Sequence, residues 1–166
     1  MRILGIDPGL QVCGYACVEA GTEGERLIEA GVIRTDRRSG IGEKLNRIAG
    51  DMQSLLVRFE PAVVAIEELY SHYAHPRTAI LMGHARGVIL QKCAEAGVEI
   101  KSYSATRIKK SLTGNGRASK QQVQRTIQTL LCLRERPEPD DVADAIAAAL
   151  CCGNALRRSS LLPAGR

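Results

Sequence analysis

Apolar residues change their spacing several times along the chain, and each change predicts a different kind of element. In the first 35 residues, short apolar runs alternate with turn residues, which predicts strands over residues 2–6, 14–19 and 27–35. The first of these runs stops at Asp7-Pro8-Gly9, a sequence typical of a turn. Three strands so close in sequence can pair as an antiparallel meander.

From residue 42 to residue 59 the apolar side chains recur every three or four positions, which predicts one face of a helix. The continuous apolar run over residues 61–66 instead predicts a strand covered on both faces. Residues 78–96 predict a second helix, and residues 98–103 a fifth strand.

The remaining third of the chain reads as helical. Ser104 and Ser119 are candidate N-caps of two short basic helices, and Asp140 is a candidate cap of a last, Ala-rich helix that reaches about Asn154. We therefore expect an α/β fold with a five-stranded mixed sheet, its first three strands antiparallel, and helices on both faces. One domain is expected over residues 1–156, with a flexible tail over residues 157–166.

Hydropathy excludes some classes of protein. The longest strictly apolar run, residues 145–152, is shorter than the ~18–20 residues that a membrane span requires. The N-terminus reaches Asp7 before a signal-peptide hydrophobic region could form, so a cytoplasmic protein is expected. The six cysteines form no CxxC pair and lie in apolar segments, which predicts free, structural thiols.

Charge is segregated along the sequence. Residues 100–134 contain no Asp or Glu but eight Lys and Arg, whereas the rest of the chain carries 15 basic and 18 acidic residues. A basic segment on an otherwise mildly acidic domain is typical of a protein that binds a polyanion. The cations of this segment as a whole, Arg117 among them, could hold a nucleic-acid backbone.

Carboxylates occupy three positions from which they could converge. Asp7 ends the first strand, and Glu67 closes the buried strand over residues 61–66. In the last helix Asp144 shares a face with Asp141, three residues before it, and with Asp140, four residues before it, so spacing alone does not choose between them.

Such a cluster of hard oxygen ligands would favour one or two Mg²⁺ or Mn²⁺ ions, because bound cations offset the mutual repulsion of the acids. Two ions ~3.5–4 Å apart can activate a water and stabilise the leaving oxygen of a phosphodiester. With the basic segment beside it, the predicted site has the composition of a nuclease.

Motifs distributed over almost the whole chain resemble, in order, those of the RuvC family of Holliday-junction resolvases, within the ribonuclease-H-like superfamily. They are Gly5-Ile6-Asp7-Pro8-Gly9 with Gly14-Tyr15, Ile33-Arg34-Thr35, Ala65-Ile66-Glu67-Glu68, Gly83-His84-Ala85-Arg86-Gly87-Val88, Lys109 with Gly114 and Gly116, Lys120-Gln121-Gln122-Val123, and Asp141-Val142-Ala143-Asp144-Ala145. The resemblance implies a ribonuclease-H-like fold. It also implies that the metal-binding catalytic carboxylates are Asp7, Glu67, Asp141 and Asp144, which selects Asp141 over Asp140.

The resemblance extends to DNA contacts. It places Lys109 and Lys120 near the scissile phosphate or the junction backbone, and it places Tyr70 where the family carries an aromatic that stacks on an unpaired base. The chain departs from the usual family sequence at Ala105-Thr106-Arg107, which leaves the role of Arg107 open. No role is assigned to the histidines, His72, His75 and His84.

The resemblance therefore implies a structure-specific DNA endonuclease that resolves four-way junctions by paired, Mg²⁺-dependent nicks that leave 5′-phosphates. Two ions per subunit are expected, with Mn²⁺ as a substitute, together with a homodimer whose contact involves the helix over residues 78–96. RuvA and RuvB are the implied partners. Two alternatives stay open, a ribonuclease-H-like nuclease acting on RNA and a junction-binding protein without catalysis.

Overall fold

The computed structural model describes residues 1–21, 24–69 and 76–161. Its one sheet contains five strands: β1 (Arg2–Asp7), β2 (Val12–Gly21), β3 (Gly24–Arg34), β4 (Val63–Glu67) and β5 (Glu99–Tyr103). The strand order is β3-β2-β1-β4-β5. The pairs β1–β2 and β2–β3 are antiparallel, whereas β1–β4 and β4–β5 are parallel. The predicted mixed sheet with an antiparallel first half is confirmed.

Five helices complete the described part of the chain: α1 (Ile41–Phe59), α2 (Pro76–Glu95), α3 (Ala105–Thr113), α4 (Lys120–Leu130) and α5 (Asp140–Leu161). Both predicted serine caps are confirmed, because the Ser104 hydroxyl accepts from the Arg107 backbone N–H and the Ser119 hydroxyl accepts from that of Gln122. These bonds satisfy backbone donors that the first turn of a helix leaves unpaired.

The start and the end of α5 both differ from the prediction. Asp140 is the first residue of the helix rather than its cap, because the backbone N–H groups of Val142 and Ala143 both donate to the Pro139 carbonyl. At the other end α5 continues past Asn154 to Leu161. The predicted division between a domain over residues 1–156 and a flexible tail stays a prediction.

The sheet carries an apolar core on each face. On one face α3, α4 and α5 pack through residues such as Ile108, Ile127 and Ile146, all of them buried. On the other face α1 and α2 pack through residues such as Met52 and Ile89. The continuous apolar sequence of β4 follows from this arrangement, since both faces of that strand are covered.

All six cysteines are free, and five of them are buried. Cys132 is the exception to the prediction of apolar surroundings, because it lies in the turn after α4 with a positive φ of 50° and is exposed. In the part of the chain that the structure describes, no helix is both long enough and apolar enough to cross a membrane.

Candidate active site

Asp7 and Glu67 lie side by side because β1 and β4 are parallel neighbours. The register pairs Ile6 with Ile66, and each of these residues is followed by one of the two acids. Parallel strands end at the same edge of a sheet, so the two carboxylates emerge together. Glu68, the next residue, is exposed, as expected from the alternation of side chains along a strand.

Two glycines allow the N-terminal part of α5 to pack closely against this edge. A Cβ atom added at Gly14 would lie 1.9 Å from the backbone oxygen of Asp141, and one added at Gly5 would lie 2.0 Å from that of Ala145. Gly14 is also the β2 partner of Asp7. Only glycine permits this approach, which brings Asp141 close to Asp7 and places Asp144 one helical turn further along.

Electrostatics shows that the acids interact across the elements that carry them. The pKa of Asp7 is raised to about 8, chiefly by burial and then, in decreasing order, by the charges of Asp144, Glu67 and Asp141. Burial also raises the pKa of Glu67, with Asp144 as the next cause. The charge of Lys120 opposes both shifts but does not cancel them, so the charged forms of these carboxylates stay disfavoured.

Lys120 is in contact with the acids of α5. Its ammonium lies 3.0 Å from a carboxylate oxygen of Asp140 and 3.7 Å from one of Asp144. Burial raises the pKa of Asp144, and Lys120 opposes that shift. The hydrogen bond to Asp140 is the largest cause that raises the pKa of Lys120 itself. Asp140 therefore serves as a partner of Lys120, a contact between α4 and α5 that no local sequence pattern predicts.

A cleft of about 120 Å³ opens between α3, α4 and the acids. Glu67 and Asp144 line it together with Lys109 and Lys120. The two predicted backbone contacts thus face the same space as two of the predicted acids. Opposite charges that converge on one cleft are suited to a phosphodiester held next to a metal ion.

The donor set fits a hard divalent cation in its chemistry, because carboxylate oxygens are the ligands that Mg²⁺ and Mn²⁺ prefer. However, within residues 1–21, 24–69 and 76–161 no three His, Cys, Asp or Glu side chains are arranged to hold an ion. In this arrangement the Asp144 carboxylate lies 3.7 Å from the Lys120 ammonium.

The other predicted contacts are not gathered in this cleft. Arg117 is exposed, in the turn where its backbone N–H donates to the Asn115 side chain. Arg107 stacks on the Tyr103 ring, with its guanidinium carbon 4.9 Å from the ring centroid, and it faces a different cavity. Tyr70 lies outside the described residues, as do His72 and His75, and His84 is exposed on α2.

The comparisons with known proteins agree with this geometry. Residues 3–152 match the model of the family described as crossover junction endodeoxyribonuclease RuvC. The chain is 50% identical over 151 residues to the protein of that name from Rhodopirellula baltica, which covers 90% of this chain and 84% of the relative. It is 42% identical over 158 residues to that from Heliobacterium modesticaldum, covering 94% of this chain and 96% of the relative.

Two solved structures from Thermus thermophilus are similar over 96% of this chain and 97% of their own. The first is a RuvC structure with a TM-score of 0.89 and 32% identity. The second is RuvC in complex with a Holliday junction substrate, with a TM-score of 0.90 and 34% identity. The sheet order and the helices on both faces therefore match those of a protein solved with a four-way junction.

Proposed function

Because this chain belongs to the RuvC family of crossover junction endodeoxyribonucleases, we propose that its acidic cleft cuts the strands of a four-way DNA junction by symmetric nicks that leave 5′-phosphates. One observation carries the proposal: Asp7 and Glu67 end adjacent parallel strands, and each has a pKa raised by burial and by the charge of Asp144.

Members of this family depend on divalent metal ions. We propose two Mg²⁺ ions per subunit, replaceable by Mn²⁺, held by Asp7, Glu67, Asp141 and Asp144. When bound, the ions supply an activated water and charge neutralisation at the leaving oxygen. The fit rests on the donor chemistry and on the mutual repulsion of the acids, which a divalent cation would relieve.

The lysines would bind and position the phosphodiester. Lys109 and Lys120 line the cleft with Glu67 and Asp144, so a phosphate entering it meets two ammonium groups. We propose that Lys120 gives up its contact with Asp144 when that carboxylate turns to a metal, while Asp140 keeps Lys120 at the cleft. Tyr70 would stack on a base at the crossover, a contact worth ~1–3 kcal/mol, and Arg117 would contact the backbone.

A four-way junction has two-fold symmetry, and matched nicks require two active sites, so we propose a homodimer. Helix α2 is the proposed contact. Its Ile80 is 62% exposed although apolar, and Gly83 and Gly87 leave room for close approach. Sedimentation should give about twice the 17.9 kDa of one chain. We propose cooperation with RuvA and RuvB in the bacterial cytoplasm, on the DNA that these proteins would move.

The decisive experiment compares a synthetic four-way DNA junction with a duplex and with an RNA duplex of the same length. The chain should nick the junction in two opposed strands when Mg²⁺ is present, and should leave the others intact. Replacing Asp7 by Asn should abolish cutting but keep junction binding. Preferred cutting of RNA would support an RNA-directed nuclease, and binding without cutting by the unaltered chain would support a scaffold.

A further inference from the structure

A second basic groove lies on the same face of the sheet as the acidic cleft, but further along α5. It is a cavity of about 520 Å³ formed where one face of α3 meets one face of α5. Arg107, Lys110 and Ser111 line it from α3, together with Gly114, the C-cap of that helix, and the α5 residues include Cys151, Asn154 and Arg158. Each set follows the spacing of residues on one helix face.

The charged side chains that line this groove are all basic. Arg107, Lys110 and Arg158 are all exposed at their positions, and none of the described residues that line the cavity is Asp or Glu. An adjoining cavity of about 350 Å³ shares Arg107 with it and also has no acidic lining residue among those described. Lys101, which lines this neighbour, is paired with Glu99 at 2.7 Å, so we assign it no part in binding.

Polar contacts fix the floor of the groove. The Asn154 amide donates to the Ser111 hydroxyl at 3.2 Å, which ties α5 to α3 between the basic side chains. The Arg107 guanidinium is held over the Tyr103 ring. Tyr103 itself is only 3% exposed, so the element that supports Arg107 is part of the core. Arg107 is therefore held in place by a buried ring, which lowers the entropic cost of ordering this side chain on a ligand.

Helix geometry sets the distance between this groove and the acids. A rise of 1.5 Å per residue puts Cys151 about 10 Å and Arg158 about 21 Å along α5 from Asp144. At 3.4 Å per base pair, the longer distance corresponds to about six base pairs of duplex. A DNA arm cut at the acidic cleft and lying along α5 would reach the groove about half a helical turn away.

We infer that this groove is a second phosphate-binding site, which holds the backbone of a junction arm about six base pairs from the cut. The inference rests on the proposed function for its substrate, but it assigns residues that the cleft does not use. Arg107, Lys110 and Arg158 are the contacts. These side chains would contact phosphates and not bases, so their contribution to affinity should not depend on the base sequence of the arm.

The test measures junction binding as a function of salt. Lys110 and Arg158 are replaced together by Gln, and the matched control is Arg38→Gln, which removes an exposed cation from the turn before α1, on the other face of the sheet. The slope of log affinity against log salt should fall by about two in the double variant and stay unchanged in the control, because each lost phosphate contact removes roughly 0.9 from it.

A junction with neutral methylphosphonate linkages locates the contact. Neutral linkages about six base pairs from the crossover should weaken binding by the unaltered chain and leave binding by the double variant unaffected. An unchanged salt slope in the double variant overturns the inference. If the melting temperature falls while the slope stays unchanged, the cations only stabilise the C-terminal ends of α3 and α5.

If the double variant fails to fold, the two single variants decide, each with an expected fall of about one in the slope. A wild-type chain that neither binds nor cuts the junction overturns the proposed function and this inference with it. A wild-type chain that cuts the junction, combined with unchanged slopes in the variants, overturns the groove alone.

Discussion

Replacing Asp7 by Asn should stabilise the metal-free protein while it abolishes cutting. The carboxylate is destabilising in its charged form, because burial and three neighbouring acids raise its pKa from 3.8 to about 8. Asn has nearly the same shape and carries no charge. A residue proposed to hold the metal thus costs stability in the metal-free protein, as expected where an active site is optimised for function.

The magnitude follows from linkage between proton binding and folding. Between the unfolded pKa of 3.8 and the folded pKa of about 8, the folded state holds a proton that the unfolded state has released. The unfolding free energy therefore falls as pH rises through this window. At pH 7 the window spans roughly three pH units, an upper limit of about 4 kcal/mol. Because Asp7 is partly exposed, screening by solvent reduces the expected gain to roughly 2 kcal/mol.

The assay is urea unfolding in a chelator at pH 5 and pH 7.5. Wild type should be less stable at pH 7.5 than at pH 5, and Asp7→Asn should reduce that difference. Added Mg²⁺ should stabilise wild type, by about 2.7 kcal/mol at a hundred times its dissociation constant, and should do much less for the variant. Glu68→Gln is the control, because Glu68 is exposed next to Glu67 and its loss should cost within about 0.5 kcal/mol.

Two results would refute this reasoning. If Asp7→Asn lowered the unfolding free energy at pH 7.5 without metal, the carboxylate would be accepting hydrogen bonds that outweigh its repulsion from Asp144 and Glu67. If the variant kept the full pH dependence of wild type, the titration would belong to other groups, and the electrostatic description of the cleft would be wrong.

Three further predictions concern the residues around the cleft. Gly14→Ala should destabilise the fold by more than ~2 kcal/mol in urea unfolding, because its Cβ would lie 1.9 Å from the Asp141 backbone oxygen. The control is Gly50→Ala in α1, where a Cβ meets nothing within 4 Å, and this change should stabilise the fold by ~0.5–1 kcal/mol. Asp144→Asn should abolish junction cutting in a gel assay, whereas Asp140→Asn should only reduce it, since Asp140 holds Lys120. Lys120→Gln should lower the cutting rate at saturating junction more than it lowers affinity, and an equal loss in both would show that Lys120 only binds.

Much of the secondary structure could be predicted because it depends on local sequence patterns. The periodicity from residue 42 to residue 59 gave α1, the apolar run before Glu67 gave β4, and Ser104 and Ser119 marked two helix starts. Such signals depend on neighbours a few positions away, which a sequence displays directly. Helix ends are weaker signals, and α5 accordingly starts and ends at residues other than those expected.

The contacts that build the cleft were harder to predict because they join distant parts of the chain. The pairing of Lys120 with Asp140 spans 20 positions, and the basic groove joins α3 to the far end of α5. Spacing predicted that Asp144 would share a face with two other acids, yet it could not say which of them faces Asp7. That choice depends on Gly14, whose missing side chain admits the Asp141 backbone, and on Lys120, which engages Asp140 instead.

The packing of α5 allows one helix to carry both the proposed metal ligands and the proposed phosphate contacts. Close packing of α5 on β1 and β2 fixes its position through Gly5 and Gly14, so the acids at its start cannot shift relative to Asp7 without loss of the core. Side chains near its far end are free to face solvent beside α3. A DNA arm that binds the basic groove is therefore held by the same rigid element that carries Asp144. If the groove holds a junction arm as inferred, a change in the length of α5 between Asp144 and Arg158 should move the cut or abolish it.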